Sequence, residues 1–131
     1  MNAPIIPKYI NSRNAPAAIG PYVHAIEVHG MLYCSGQVGI DPETGNLVDG
    51  GIVEQTRQAL QNLFQVVSAG MASHKHIVKT TVYMTDLGQF AEMNATYEEM
   101  FGAHRPARAT VQVSRLPKDA LVEIDCIAVK P

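Results

Sequence analysis

Two stretches of the chain carry apolar residues at helical spacing. Ile52, Ala59, Leu60, Leu63, Phe64 and Val67 form one stripe, which predicts a helix from Ile52 to about Ala69 with Gly70 as its stop. Phe90, Met93, Tyr97, Met100 and Phe101 form a second stripe, which predicts a helix from about Leu87 to Phe101 ended by Gly102. Asp86, with Gln89 three residues later, fits an Asp/Gln capping box at its start. The remaining apolar runs are short, β-branched and bounded by turn residues, as in strands. They are Lys8–Ile10, Tyr22–Val28, Met31–Ser35, His76–Met84, Ala109–Ser114 and Ala120–Lys130. His29–Gly30 fits a two-residue hairpin turn. DPETGN (residues 41–46) and LPKD (residues 116–119) read as turns. Residues 1–21 are rich in Pro and Asn.

The order β-β-β-α-β-α-β-β predicts an α+β fold: one mostly antiparallel sheet with both helices on one face. The last strand, in ALVEIDCIAV (residues 120–129), refines this expectation. Its even positions, Val122, Ile124, Cys126 and Ala128, are all apolar and suit the helix side. Its odd positions, Leu121, Glu123, Asp125, Ile127 and Val129, are also largely apolar, yet carry two carboxylates. Two helices cover only one face of such a sheet, and a large exposed apolar face is unusual in a monomer. The odd face is therefore expected to self-associate, with the acids in or beside the interface.

Length and composition leave this picture intact. The 131 residues, 47% hydrophobic and 17% charged, fit one domain over residues 1–131. A net charge of −2 and the lack of a basic run give no electrostatic footprint for nucleic acid. No apolar run approaches membrane-spanning length, and the start of the chain lacks the apolar core of a signal peptide. The expectation is a soluble cytoplasmic protein. Cys34 and Cys126, far apart in sequence, read as buried free thiols. His74 and His76 form an H-x-H pair with no third ligand at a recognisable spacing. Neither a metal nor a cofactor is called for.

A carboxylate among apolar neighbours needs a cation or several donors. Arg108 lies just before the Ala109–Ser114 strand and approaches the last strand if those two pair across LPKD. Its guanidinium suits a planar carboxylate, with Arg105 and Arg115 as competitors. Two readings stand side by side. In one, Arg108 bridges Glu123 or Asp125 structurally. In the other, Arg108 grips an acidic substrate and one acid activates a water. Asn94 on the apolar side of the second helix, Tyr22 after Gly20–Pro21, and Ser35–Gly36–Gln37 at a strand end are weaker candidates.

Taken together, these residues resemble the RidA (YjgF) family of imine deaminases. The resemblance is nearly full length. It covers NAPAAIGPY, Ser35–Gly36–Gln37 and the DPETG loop; Gln55, Asn62, Gly70, Lys79–Thr80, Asp86, Phe90, Asn94 and Tyr97; and PARATVQVSRLPKDALVEIDCIAV. It implies a chorismate-mutase-like (YjgF-like) domain forming a homotrimer with sites between subunits. It implies that Arg108 binds the substrate carboxylate, that Glu123 serves the hydrolytic water, and that Tyr22, Ser35, Gly36, Asn94 and Thr110 line the pocket. The implied reaction is cofactor-free deamination of short 2-imino or enamine acids, 2-iminobutanoate and 2-iminopropanoate, to 2-keto acids and ammonia, in the service of metabolite damage control. Three alternatives come with it: a keto-acid-binding module without turnover, a deaminase of a larger enamine such as 2-aminomuconate, and an RNA-directed role that the acidic balance disfavours. Thr110, His24, Asp125 and Cys126 depart from residues common in the family, which bears on substrate range. Asp125 is assigned to structure, pairing with Arg105, Arg115 or a lysine.

Overall fold

The computed structural model describes residues 5–131, so the first four residues of the Pro- and Asn-rich segment lie outside the described residues. The elements are β1 (Lys8–Ile10), β2 (Ala25–Val28), β3 (Met31–Val38), α1 (Gly51–Ala69), β4 (Ile77–Met84), α2 (Phe90–Phe101), β5 (Ala107–Gln112) and β6 (Val122–Val129). Their order is the expected one. The strands form one sheet in the order β1-β2-β3-β6-β4-β5. Every neighbouring pair is antiparallel except β4 and β5, which run parallel through the crossover α2.

That pairing corrects one expectation. β5 and β6 do not form a hairpin across LPKD. β4 lies between them, and β5 is an edge strand. The short link tempts one to pair the strands it joins. Here a 3₁₀ turn at Pro117–Asp119, with left-handed φ of 61° at Lys118 and 57° at Asp119, redirects the chain instead. The backbone then turns into β6 with the Leu121 amide donating to Gln55 Oε1 at 2.8 Å.

Both helices cover one face. Val122, Ile124, Cys126 and Ala128 of β6 are buried there with Leu60, Leu63, Val66 and Val67 of α1 and Met93, Tyr97 and Phe101 of α2. Thr80 of β4 is buried on the same side and shares a 2.7 Å hydrogen bond with the Tyr97 hydroxyl. The other face carries no helix among the described residues. A row of cross-strand neighbours, Tyr9, Ile26, Tyr33 and Ile127, runs across it, with Tyr9 73% and Tyr33 48% exposed.

Local chemistry explains several boundaries. His29 (φ 50°) and Gly30 (φ 75°) are both left-handed, as a type I′ hairpin turn requires. β2 begins at Ala25 rather than Tyr22, because the Tyr22 amide closes a tight turn onto the Gly20 carbonyl at 2.9 Å. α2 begins at Phe90, preceded by a 3₁₀ turn over Leu87–Gln89. Asp86 caps that turn through the Gly88 amide at 2.8 Å, Gln112 accepts the Leu87 amide, and the expected return bond from Gln89 to the Asp86 amide is not formed. Gly70 is not left-handed; a Cβ there would press on Leu32 Cδ1 at 2.7 Å, so close packing is what demands glycine. Cys34 and Cys126, distant in sequence, are register partners on β3 and β6. Both are free and buried. Donation of its S–H to Cys34, together with burial, pushes the Cys126 thiol far up, so it stays protonated.

Candidate active site

Glu123 sits on the open face of β6, between Tyr83 of β4 and Val38 of β3. Beside it β3 carries a bulge. Cys34 pairs with Cys126 and Gln37 with Ile124, so Ser35 and Gly36 together oppose Asp125. The Glu123 carboxylate lies directly over Gly36, where any Cβ would overlap it. Glycine here lets the carboxylate approach the backbone; a larger residue would push the Glu123 side chain aside. Ser35 is fixed twice: its amide donates to the His24 carbonyl at 2.9 Å and its hydroxyl to the Val23 carbonyl at 2.7 Å. Tyr22, 47% exposed, stands at the mouth. These residues line a cavity of ≈ 260 Å³ walled by Pro16, Ala17, Ile19, His24, Pro117 and Lys118.

Burial, and then the neighbouring Asp125 charge, raises the Glu123 pKa above the ordinary glutamate value. Among the described residues Glu123 has no ion-pair partner. Asp125 is held differently. It accepts the Tyr83 hydroxyl at 3.2 Å. Burial, followed by the Asp125 charge, raises the Tyr83 pKa, which keeps that phenol a donor. The expected pairing of Asp125 with Arg105, Arg115 or a lysine is absent among the described residues. Arg105 pairs with Glu98 at 3.2 Å, Arg115 with Asp119 at 2.6 Å, and Lys130 with Glu27 at 3.3 Å. A structural role for Asp125 therefore runs through a phenol.

Arg108 occupies a separate place. It lies on β5 opposite Thr80, which in turn lies opposite Cys126. This puts Arg108 on the helix side of the sheet. Its guanidinium rests over the Tyr97 ring at 4.7 Å and near Phe90 at 5.6 Å. Tyr97 is itself locked by Thr80, so the cation has a rigid shelf. Arg108 has no carboxylate partner among the described residues, unlike Arg105 and Arg115. The reading in which Arg108 bridges Glu123 or Asp125 within one chain is thus not realised. Asn94 of α2 joins Arg108 in a second cavity of ≈ 360 Å³, with Tyr97, Glu98, Arg105 and Pro106. Thr110 follows two residues along β5, on the same face as Arg108; its hydroxyl is buried without a partner among the described residues.

The candidate residues therefore divide into two groups. Tyr22, Ser35, Gly36 and Glu123 share one cavity, and Asn94 and Arg108 share the other. The two groups open on opposite faces of one sheet. They are also offset along the strands, since Arg108 is level with Thr80 and Glu123 with Tyr83. Three residues of strand are about 10 Å. No rotamer change in a single chain joins the two groups.

Sequence reasoning missed several contributors. Lys118 was read only as part of a turn, yet it lines the Glu123 cavity. Its left-handed backbone leaves no trace in an ordinary Pro-Lys-Asp string. The Tyr83 donor to Asp125 was missed because it comes from a strand the link LPKD does not suggest as a neighbour. His74 and His76 serve packing and a local turn: His74 lies 5.3 Å from the Phe64 ring, and the His76 ring accepts the Ser73 amide at 3.0 Å.

Comparison with known proteins places this arrangement. The family model described as Endoribonuclease L-PSP matches residues 12–130. A protein named 2-iminobutanoate/2-iminopropanoate deaminase from Mus musculus is 47% identical over 126 residues, covering 96% of this chain and 93% of that protein. One of the same name from Salmonella typhimurium is 47% identical, covering 94% of this chain and 98% of that protein. The crystal structure of the YjgF gene product from E. coli superimposes with a TM-score of 0.90 at 46% identity, covering 95% of this chain and 99% of that one.

Proposed function

The chain belongs to the Endoribonuclease L-PSP (YjgF/RidA) family, and we propose that it is a hydrolase of C=N bonds, a 2-iminobutanoate/2-iminopropanoate deaminase. It works as one domain of residues 1–131, in the cytoplasm, and removes reactive imines before they damage other molecules. No helix among the described residues is long and apolar enough to cross a membrane.

One observation carries the reading. Arg108 and Glu123 are both without ion partners among the described residues, and they face opposite sides of the sheet. Each is half of a site that a second copy completes. Three facts favour self-association in a ring: a helix-free face bearing Tyr9, Ile26, Tyr33 and Ile127, a bare edge at β5, and the cavity beside Glu123. We take that ring to be the chorismate-mutase-like homotrimer. In it the β5 edge of one subunit brings Arg108, Asn94 and Thr110 to the Tyr22, Ser35, Gly36 and Glu123 of the next.

The chemistry then follows. The Arg108 guanidinium holds the carboxylate of a protonated 2-imino acid by paired hydrogen bonds. This fixes the C=N carbon against the water that Glu123 holds. Glu123 takes one proton from that water as its oxygen adds to the carbon, and the C=N π electrons pass to nitrogen. The carbinolamine then receives the proton on nitrogen. The C–N bond breaks, ammonia departs, and loss of the hydroxyl proton leaves the 2-keto acid. Positioning and general-base catalysis supply the rate. The test is a coupled assay in which a serine/threonine dehydratase releases the imine. Faster imine decay and matching ammonia release with this protein are expected. Decay unchanged at micromolar protein would overturn the activity, and keto-acid binding in that inert protein would leave a binding module.

A further inference from the structure

We propose that His24 is the positioning residue that sets the outer wall of the Glu123 cavity, and with it the substrate chain length the cavity accepts. This rests on the function proposed above. His24 is 3% exposed and yet makes polar contacts on every side. Its Nδ1 accepts the Ser12 amide at 3.0 Å, and its Nε2 meets the Pro16 carbonyl at 2.7 Å. An amide can only donate and a carbonyl can only accept. The ring is therefore the neutral tautomer with the proton on Nε2. Its own amide donates to Asn11 Oδ1 at 3.1 Å, and its carbonyl accepts the Ser35 amide at 2.9 Å.

These four bonds form one clip. On one side they hold the segment from Asn11 to Pro16, which leads into Ala17 and Ile19. On the other they hold the bulge residue Ser35. The cavity lies between the two, with Glu123 at its floor. The segment has no ladder partner between the end of β1 and the start of β2, so the imidazole does the work of a strand pairing. The wall it fixes, Pro16, Ala17 and Ile19, is apolar and faces where the alkyl group of a short imino acid would lie if its carboxylate is held from the neighbouring subunit. Loosening the clip deepens that end of the cavity.

The experiment compares His24→Leu, which keeps bulk but neither bond, with His24→Gln, whose amide retains one acceptor and one donor. The readout is the ratio of kcat/KM for 2-iminobutanoate over 2-iminopropanoate. His24→Leu is expected to shift this ratio by about fivefold or more, chiefly through KM, and His24→Gln to restore it to within about twofold of wild type, the scale of one hydrogen bond. A wild-type ratio in His24→Leu, or a failure of His24→Gln to restore it, overturns the inference. Amide exchange at Ser12 tests the clip without substrate. It should be slow in wild type and His24→Gln and fast in His24→Leu; a protected Ser12 amide in His24→Leu also overturns the inference. A wild-type protein that hydrolyses neither imine would instead overturn the proposed function, with the Ser12 exchange still judging the clip.

Discussion

Two inactive variants should rescue each other. Arg108→Ala removes the carboxylate grip, and loss of such a charged hydrogen-bonded pair costs about 2–5 kcal/mol, or at least about thirtyfold in activity. Glu123→Gln removes the base, worth about 10²–10⁴-fold. Each variant alone should therefore retain a few per cent of activity at most. Because Arg108 and Glu123 open on opposite faces of one sheet, each site in the proposed trimer draws them from different subunits. Mix equal amounts and let assembly be random. About three-quarters of the rings then contain both variants, and every mixed ring has one junction at which an intact Glu123 meets an intact Arg108. One site in about three is restored, so the mixture should recover about a quarter of wild-type activity. The assay is dehydratase-coupled imine decay after joint refolding or co-expression. Light scattering should give close to three times the 14.2 kDa chain mass, and a mass tag on one variant should show mixed rings. Mixed rings with no more activity than the average of the two parents would refute the shared site. So would rescue in a mixture that contains no mixed ring.

Three further outcomes follow from the same geometry. Arg108→Lys should cost at least about tenfold, because an ammonium cannot reproduce the guanidinium fork, while Arg105→Lys should cost far less, since Arg105 is spent on Glu98 and the Gly102 carbonyl; comparable losses in both would dissolve the distinction. Glu123→Gln should raise the melting temperature near neutral pH while it lowers turnover. The folded pKa of Glu123 is raised, so the neutral acid is the form the fold prefers; that stabilisation is complete below the unfolded value and is lost as pH rises through the folded value. A fixed neutral amide keeps it, and a lower melting temperature at pH 7 than wild type would contradict the reasoning. Asp125→Asn should move the acid limb of the pH–rate profile to lower pH, because the Asp125 charge helps raise the Glu123 pKa, and should leave assembly intact because Asn can still accept the Tyr83 hydroxyl; an unmoved limb would assign that limb to another group.

Helical periodicity was enough to find both helices, and β-branched runs bounded by turn residues found the six strands. Strand alternation also separated the faces of β6, whose even residues are the buried ones. What it could not supply was pairing. β5 and β6 are adjacent in the chain and apart in the sheet, and only the two left-handed residues at Lys118 and Asp119 carry the change of direction. Neither residue type announces such a backbone. The site suffered from the same gap. The chemistry of Arg108 singles it out, but only an assumed hairpin sets it beside the acids. Its true surroundings, Tyr97 and Thr80, come from a parallel pairing that leaves no local pattern. The cysteines show the converse. Residues far apart in the string, with no motif between them, are face to face because β6 inserts beside β3.

That insertion also governs how the molecule is made. β6 follows every other element in the chain, yet it lies in the middle of the sheet, between β3 and β4. A ribosome therefore releases the β2–β3 hairpin, α1, the β4–α2–β5 crossover and its arginine before the strand that joins them exists. Until β6 emerges the two halves of the sheet have no common ladder, and long-range pairing of this kind is slow to form. Chains stalled before Leu121 should be digested rapidly by protease, and chains released complete should resist it. Glu123, the proposed base, and the middle of the face proposed to associate lie on that same strand. In the proposed trimer, a subunit without β6 would lack both that base and the centre of its contact face, so the order of synthesis would act as a checkpoint on assembly.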